Sequence, residues 1–182
     1  MNPNESMEEK LKRLGVFLGV GKIQPAARVE HHHIEDVIDT HEVESPWGNI
    51  LVHEEIYPAG YHHGIVQLSD IRADPLIAKW SNIDIAETID PENLFFLDTE
   101  TTGLSRGTGT LIFLIGLGFY RKQNFHLVQL ILPDPALEPA LLAVFDRYIY
   151  PYQYVVSFNG KAFDVPILET RHVLHRLPSP FE

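Results

Sequence analysis

Two acidic residues separated by one position are the first residues in this chain whose type and spacing suit chemistry. Asp98 and Glu100 lie at the end of the apolar run Leu94–Leu97 and directly before a Thr-Thr-Gly turn. Because side chains on a β-strand alternate between its two faces, residues two apart point to the same side. We therefore expect both carboxylates to reach one site, at a strand end of the kind where open sheets place their ligands.

A third acidic residue, Asp164, follows another apolar stretch and lies at the start of a predicted helix. It comes 64 positions after Glu100 (164 − 100), yet a neighbouring parallel strand would bring it alongside. Three carboxylates at one edge repel each other unless divalent cations hold them, and such oxygen ligands suit Mg²⁺ or Mn²⁺. Two such ions about 3.5–4 Å apart can activate a water and stabilise the leaving oxygen of a phosphodiester displacement.

The elements that must position these residues are clearest after residue 93. Apolar runs predict strands at 94–97, 111–120, 125–132 and 154–158. Helical spacing predicts one helix from Pro139 to Ile149 and another from 163 to about 176, with Ile167, Leu168, Val173 and Leu174 on one side. The short polar turn at 121–124 favours an antiparallel hairpin. This order predicts an α/β domain over 91–182, with a mixed sheet and flanking helices, after a small β-rich N-terminal extension over 1–90.

Composition limits the classes of protein that fit. Hydrophobic residues make up 45% and charged residues 21% of the 182 residues, which is typical of a soluble globular protein. The net charge of −11 argues against loose binding of nucleic acid, although cations bound to clustered carboxylates would reverse the local sign. The absence of cysteine excludes disulfides and thiolate zinc sites. We see no secretory or membrane-spanning stretch and expect a cytoplasmic protein with no membrane partner.

Four stretches of the chain carry a resemblance to a known family. FFLDTETTGL (95–104) resembles the first motif of the DEDD superfamily of 3′–5′ exonucleases, the proofreading type, and VSFNGKAFDVPILETR (156–171) resembles the second. The linking stretch GTGTLIFLIGLGFY (107–120) and the upstream ESPWGNILVHEEIYPAGYHHG (44–64) are similar to the YprB-like ribonuclease H-like proteins of bacteria. The paired motifs at this spacing are specific, and the similarity spans residues 40–177.

This resemblance decides between two explanations of the acidic residues. Taken singly, Asp98 could cap a turn, Glu100 could be solvated and Asp164 could be a helix N-cap. The resemblance implies instead a ribonuclease H-like, metal-dependent 3′–5′ exonuclease in which all three are catalytic, acting as ligands of two Mg²⁺ or Mn²⁺ ions, with Asp98 bridging both. The implied partner is nucleic acid, namely a single-stranded 3′ end of DNA or RNA.

The resemblance also implies residues that bind the substrate. Four residues after the first motif's carboxylates would shape the pocket for the terminal nucleotide: Thr101, Thr102, Gly103 and Leu104. Two residues of the second motif, Asn159 and Phe163, would help to position the strand. Duties in turns and in the core explain these same residues about equally well.

The sequence departs from the family pattern after the second motif. The pattern includes a fourth carboxylate on a later helix, preceded by a His or Tyr as general base. No suitable aspartate follows His172 and His175, which we expect on the surface of the helix that contains Asp164. We therefore expect an incomplete domain that lacks the last strand and helix, and weak or no activity, and we favour a fragment over a degenerate relative. Two alternatives stay open: an inactive module of the same fold that binds nucleic acid or protein, and endonucleolytic or junction-processing action on the same metals.

Overall fold

A computed structural model describes residues 34–70, 79, 89–103 and 108–181 of the chain. The chain divides into two compact units, 1–37 and 38–182. In the first unit, the described residues contain one 3-10 turn at Ile34–Asp36. The sheets and helices described next belong to the second unit.

The described part of the second unit contains eight strands and two α-helices. The strands are β1 (His41–Ser45), β2 (Gly48–Tyr57), β3 (His62–His63), β4 (Val66–Gln67), β5 (Leu94–Thr101), β6 (Ile112–Arg121), β7 (Asn124–Ile131) and β8 (Tyr154–Ser157). The helices are α1 (Glu138–Ile149) and α2 (Asp164–His175). Short 3-10 turns lie at Leu68–Asp70, Pro91–Asn93 and Pro135–Leu137. All four strands and both helices predicted after residue 93 are confirmed.

Six of the strands form one mixed sheet in the order β1-β2-β7-β6-β5-β8. β5 and β8 run parallel, and the other neighbouring pairs are antiparallel. The predicted hairpin is confirmed as β6–β7, and the predicted parallel neighbour of β5 is confirmed as β8. β1 and β2, which lie within the predicted extension 1–90, lengthen this sheet because β2 pairs with β7. β3 and β4 form a separate two-stranded hairpin.

One face of the sheet packs against both helices. Its buried side chains form a single apolar cluster with the inner residues of α1 and α2, including Phe95, Leu97, Ile115, Leu117, Leu141, Phe145, Ile167 and Leu168. Because strand side chains alternate, the opposite face of β5 presents Phe96, Asp98 and Glu100. In the described parts of the chain, no helix is long and apolar enough to cross a membrane.

The second helix buries a different set of residues from the one predicted. Ile167 and Leu168 are buried as expected, but Val173 and Leu174 are 72% and 45% exposed. Arg171 and His172 take their place on the inner face. The reason is that α1 carries the carboxylates Glu138 and Asp146 opposite them, so polar side chains are satisfied inside the helix pair.

Candidate active site

Two carboxylates of β5 project from the face of the sheet that the helices leave uncovered. Asp98 and Glu100 are both exposed, whereas Leu97, which precedes Asp98 and points to the opposite face, is buried. Asp98 pairs with Gly116 of β6 and Glu100 pairs with Leu114. A register shift between Glu100 and Thr101 ends the regular pairing at this point. The two side chains therefore stand next to each other at the carboxyl end of β5.

Both carboxylates line an open cavity of about 580 Å³ on this face. Its other walls are mostly apolar and come from β5, β6, β7 and the end of β8, including Phe96, Leu114, Gly116, Gly118, Phe125, Leu127, Gln129, Val156 and Phe158. A cavity of this size is within the range of roughly 300–1,000 Å³ that is usual for small-molecule sites. The carboxylates are thus accessible to a ligand and are set beside an apolar surface.

Asp164 begins α2 and is tied to the strand that carries the other two carboxylates. Its Oδ1 atom accepts hydrogen bonds from the backbone N–H of Thr99, at 3.0 Å, and from the Thr99 hydroxyl, at 2.6 Å. The side chain is only 6% exposed. Phe163, not Asp164, occupies the N-cap position, so the explanation of Asp164 as a helix N-cap is wrong. The parallel neighbour β8 brings Asp164 alongside β5, as the order of elements predicted.

Gly160 makes this approach of α2 possible. A Cβ atom at residue 160 would overlap the Ser157 side chain and lie 3.0 Å from Oδ2 of Asp164. The backbone N–H groups of Phe163 and Val165 both donate to the carbonyl of Gly160, at 3.1 and 3.0 Å. The glycine of the second motif is therefore explained by close packing next to Asp164.

The fit of these residues to a divalent cation is partial. Asp98 and Glu100 offer exposed oxygen ligands that leave room for water or a phosphate in the remaining positions, which suits Mg²⁺ or Mn²⁺. Oδ1 of Asp164 is already engaged with Thr99. Within the described residues, no three His, Cys, Asp or Glu side chains are grouped closely enough to hold a metal ion. Shared metal binding by all three carboxylates stays a prediction.

The residues predicted to shape the nucleotide pocket brace the turn after β5. The hydroxyl of Thr101 donates to the carbonyl of Gly103 at 2.8 Å. Thr102 exchanges hydrogen bonds with Leu111, since its N–H donates to the Leu111 carbonyl and its hydroxyl accepts from the Leu111 N–H. Leu104 lies outside the described residues. The three described residues hold the turn in shape, and their contact with a nucleotide stays a prediction.

The second motif contains two exposed aromatic side chains, one directly after β8 and one directly before α2. Asn159 has a left-handed backbone, with φ of 60°, and its carbonyl accepts from the N–H of Ala162 at 3.0 Å. Phe163 is 50% exposed and Phe158 is 97% exposed. Sequence reasoning missed Phe158, although its position directly after an apolar strand and before Asn159 was a usable signal. It also missed Gln129, the polar interruption in the apolar run of β7.

The far rim of the same face of the sheet carries three hydrogen-bonded polar side chains of β2. His53, Glu55 and Tyr57 pair with Gln129, Leu127 and Phe125 of β7, respectively. Hydrogen bonding to the Asp39 carbonyl, at 2.6 Å, is the main cause of a raised pKa at His53, and Glu55 adds to it. The hydroxyl of Tyr57 donates to Glu55, which lowers the pKa of that carboxyl and raises the pKa of the tyrosine. The rim is therefore a row of polar side chains linked by hydrogen bonds.

The prediction that His172 lies on the helix surface is wrong. His172 is fully buried, with Nδ1 at 2.8 Å from the Leu168 carbonyl and Nε2 at 3.1 Å from Oδ1 of Asp146. Burial is the largest influence and lowers the pKa of His172, but the hydrogen bonds to Asp146 and Leu168 together outweigh it and leave the pKa raised. His175 is partly buried, and its Nε2 lies 2.6 Å from Oε2 of Glu138. Carboxylates of α1 hold both histidines.

The described sheet is mixed, and two carboxylates lie at the end of its strand β5. A third carboxylate is brought alongside by α2, the helix that follows the parallel strand β8. This arrangement defines a ribonuclease H-like domain. Residues 95–182 match the family model described as the RNase_H superfamily. The chain is also 32% identical over 186 residues to the uncharacterized protein YprB of Bacillus subtilis (strain 168), an alignment that covers 94% of this chain and 44% of YprB. The chain is a YprB-like protein with a ribonuclease H-like domain, and it spans less than half the length of YprB. The predicted family and fold class are confirmed.

Proposed function

We propose that this chain carries a divalent-metal-dependent 3′–5′ exonuclease domain that hydrolyses phosphodiester bonds of DNA or RNA by a two-metal mechanism. The observation that supports this most directly is the pair of exposed carboxylates, Asp98 and Glu100, that line one open cavity. The ribonuclease H-like fold makes a nucleic acid the expected partner. A single-stranded 3′ end as the substrate and a cytoplasmic location belong to the same proposal.

In this proposal Asp98 and Glu100 would hold the cations, and their exposure leaves positions for a phosphate oxygen and a water. A bound Mg²⁺ or Mn²⁺ ion would supply activation of that water and neutralise charge on the phosphate. Thr99 faces away from the cavity and secures Asp164 with two hydrogen bonds, so α2 and β5 stay in fixed relative positions. Because the net charge is −11, we expect oligonucleotides to bind well only when divalent cations are present.

Digestion of labelled oligonucleotides tests the proposal. Single-stranded DNA and RNA labelled at the 5′ end are incubated with Mg²⁺, Mn²⁺, Ca²⁺ or EDTA, and a ladder that shortens from the 3′ end identifies exonuclease action. We expect Asp98→Asn and Glu100→Gln to abolish digestion and to weaken Mn²⁺ binding measured by calorimetry. Glu169→Gln, which changes an exposed carboxylate of α2, is the matched control. Undiminished digestion by Asp98→Asn would rule out the mechanism.

A second candidate function is an inactive module of the same fold that binds nucleic acid or protein. The engagement of Asp164 with Thr99, and the lack of a three-residue metal group in the described part of the chain, favour it. In that case the wild-type chain binds oligonucleotides but releases no nucleotides in Mg²⁺ or Mn²⁺. Asp98→Asn then leaves binding in EDTA at the wild-type level or tighter, because it removes a negative charge and no catalytic ligand.

A further inference from the structure

The cavity beside the carboxylates has a floor of bare backbone at Gly116. A Cβ atom at Gly116 would meet nothing closer than the Asp98 carbonyl oxygen at 3.7 Å, so the space above the residue is open. Two positions along β6, a Cβ at Gly118 would lie 2.6 Å from Cζ of Phe125. The Phe125 ring therefore covers one of the two glycines and leaves the other as the floor.

Asp98 and Gln129 face each other across this floor. Gly116 pairs with Asp98 on one side and with Gln129 on the other. Since neighbouring strands are about 4.8 Å apart, the Asp98 and Gln129 backbones are separated by about 10 Å. Gln129 is partly exposed and lines the cavity, and its amide makes no hydrogen bond among the described residues. A carboxylate and a free amide thus stand at opposite ends of a surface without side chains.

An aromatic wall closes one long side of this surface. The rings of Phe96 and Phe125 meet edge-on with centroids 5.9 Å apart, and the Phe125 ring also contacts the Tyr120 ring, with centroids 5.1 Å apart. Leu127 continues the wall. A smooth floor, an apolar wall and one free amide together suit a flat aromatic ligand that carries hydrogen-bonding groups on its edge.

We propose that this cavity is a nucleobase subsite, in which Gln129 recognises the edge of the base whose nucleotide has its phosphate at Asp98 and Glu100. A carboxamide offers both a donor and an acceptor, and this pair matches the N6 and N7 groups of adenine. Adenine is therefore the favoured base. The placement of the phosphate rests on the proposed nuclease function, but recognition of the base does not require hydrolysis.

The test measures binding and not turnover. Fluorescence anisotropy is recorded in Ca²⁺ for 5′-labelled oligothymidylates that differ only in the 3′-terminal base, with the 182-residue chain as the wild type. Gln129→Leu removes both polar groups of the amide. Gly116→Val fills the floor with a side chain that suits a β-strand, and circular dichroism checks that it folds. Gln153→Leu, at an exposed glutamine, is the matched control.

We expect the wild type and Gln153→Leu to prefer a terminal adenine by about 10-fold, which is the scale of one bidentate base contact. Gln129→Leu should bring the affinities for the four oligonucleotides within about twofold of each other. Folded Gly116→Val should weaken binding to the adenine-ended oligonucleotide. A wild type that does not bind in Ca²⁺ or binds all four ends equally would overturn the subsite, and so would a preference that survives Gln129→Leu.

The same variants separate this inference from the proposed nuclease. If Gln129→Leu removes the preference while the wild type releases no nucleotide in Mg²⁺ or Mn²⁺, the base subsite stands and the nuclease proposal fails. If the wild type digests oligonucleotides and Gln129→Leu digests all four ends at wild-type relative rates, the nuclease stands and the subsite fails.

Discussion

Arg171 at the inner face of α2 is the side chain whose loss we expect to destabilise this fold most clearly. Its guanidinium donates to both carboxylate oxygens of Glu138, with Nε to Oε1 at 2.6 Å. A third hydrogen bond runs from Nη1 to the Thr108 carbonyl at 2.8 Å. Arg171 is 8% exposed and Glu138 is 1% exposed. Arg171→Met keeps most of the apolar stem and removes all three hydrogen bonds.

The expected loss of unfolding free energy follows from the Glu138 carboxylate, which stays buried when Arg171 is replaced. Removing one partner of a buried ion pair costs about 3–5 kcal/mol, because the other charge stays buried and unpaired. His175, whose Nε2 lies 2.6 Å from Oε2 of Glu138, is unchanged in this variant and remains as a partner for the carboxylate, so we expect a cost near the lower end, at about 3 kcal/mol. For a chain of this length, that lowers Tm by about 6–12 °C.

Urea unfolding followed by far-ultraviolet circular dichroism measures this cost. We expect Arg171→Met to lower the unfolding midpoint with an unchanged slope, and Lys161→Met, at an exposed lysine, to stay within about 0.5 kcal/mol of wild type. Glu138→Leu combined with Arg171→Met should recover part of the loss, because no buried charge remains. If Arg171→Met alone unfolds at the wild-type midpoint, the ion pair does not hold α1 to α2 as described.

Two further predictions concern pH and close packing. The pKa of His172 is raised above its ordinary 6.5 in the folded protein. The stability that protonated His172 contributes is therefore complete below pH 6.5 and is lost as the pH rises through the raised pKa. Asp146→Asn should flatten this pH dependence of the unfolding free energy, measured by urea unfolding from about pH 5.5 to about pH 8.5. Gly118→Ala should cost about 1–3 kcal/mol by overpacking, since its Cβ would lie 2.6 Å from Phe125. Gly116→Ala, whose Cβ meets only ordinary contacts, should cost much less in the same measurement.

The elements after residue 93 were predictable because their signals are local. The apolar runs of β5 to β8 and the stripe of α1 each indicate their own structure, and the four-residue polar turn between β6 and β7 allows only a tight hairpin. The parallel pairing of β5 with β8 follows from the helix α1 that separates β7 from β8, since such a crossover returns the chain in the same direction.

The inner face of α2 was not predictable from its own residues. Helical spacing alone favoured Val173 and Leu174 as buried, and only the facing helix shows why Arg171 and His172 are inside. A polar side chain is buried where a partner satisfies it, and the partners Glu138 and Asp146 lie more than 20 positions earlier in the sequence. Gln129 was not predictable for the same reason, because its position across from Asp98 depends on the register of three strands.

The hydrogen bonds between Thr99 and Asp164 affect how far the two acidic motifs indicate catalysis. Thr99 lies between Asp98 and Glu100, and it holds Asp164 through both its backbone N–H and its hydroxyl. Asp164 thus has a packing role that joins α2 to β5 whether or not a metal binds. An inactive relative would need the same Thr–Asp contact to keep the fold, but it would have no structural need for acidic side chains at the two exposed positions. Activity is therefore tested more sharply at Asp98 and Glu100 than at Asp164, where loss of function and loss of packing coincide.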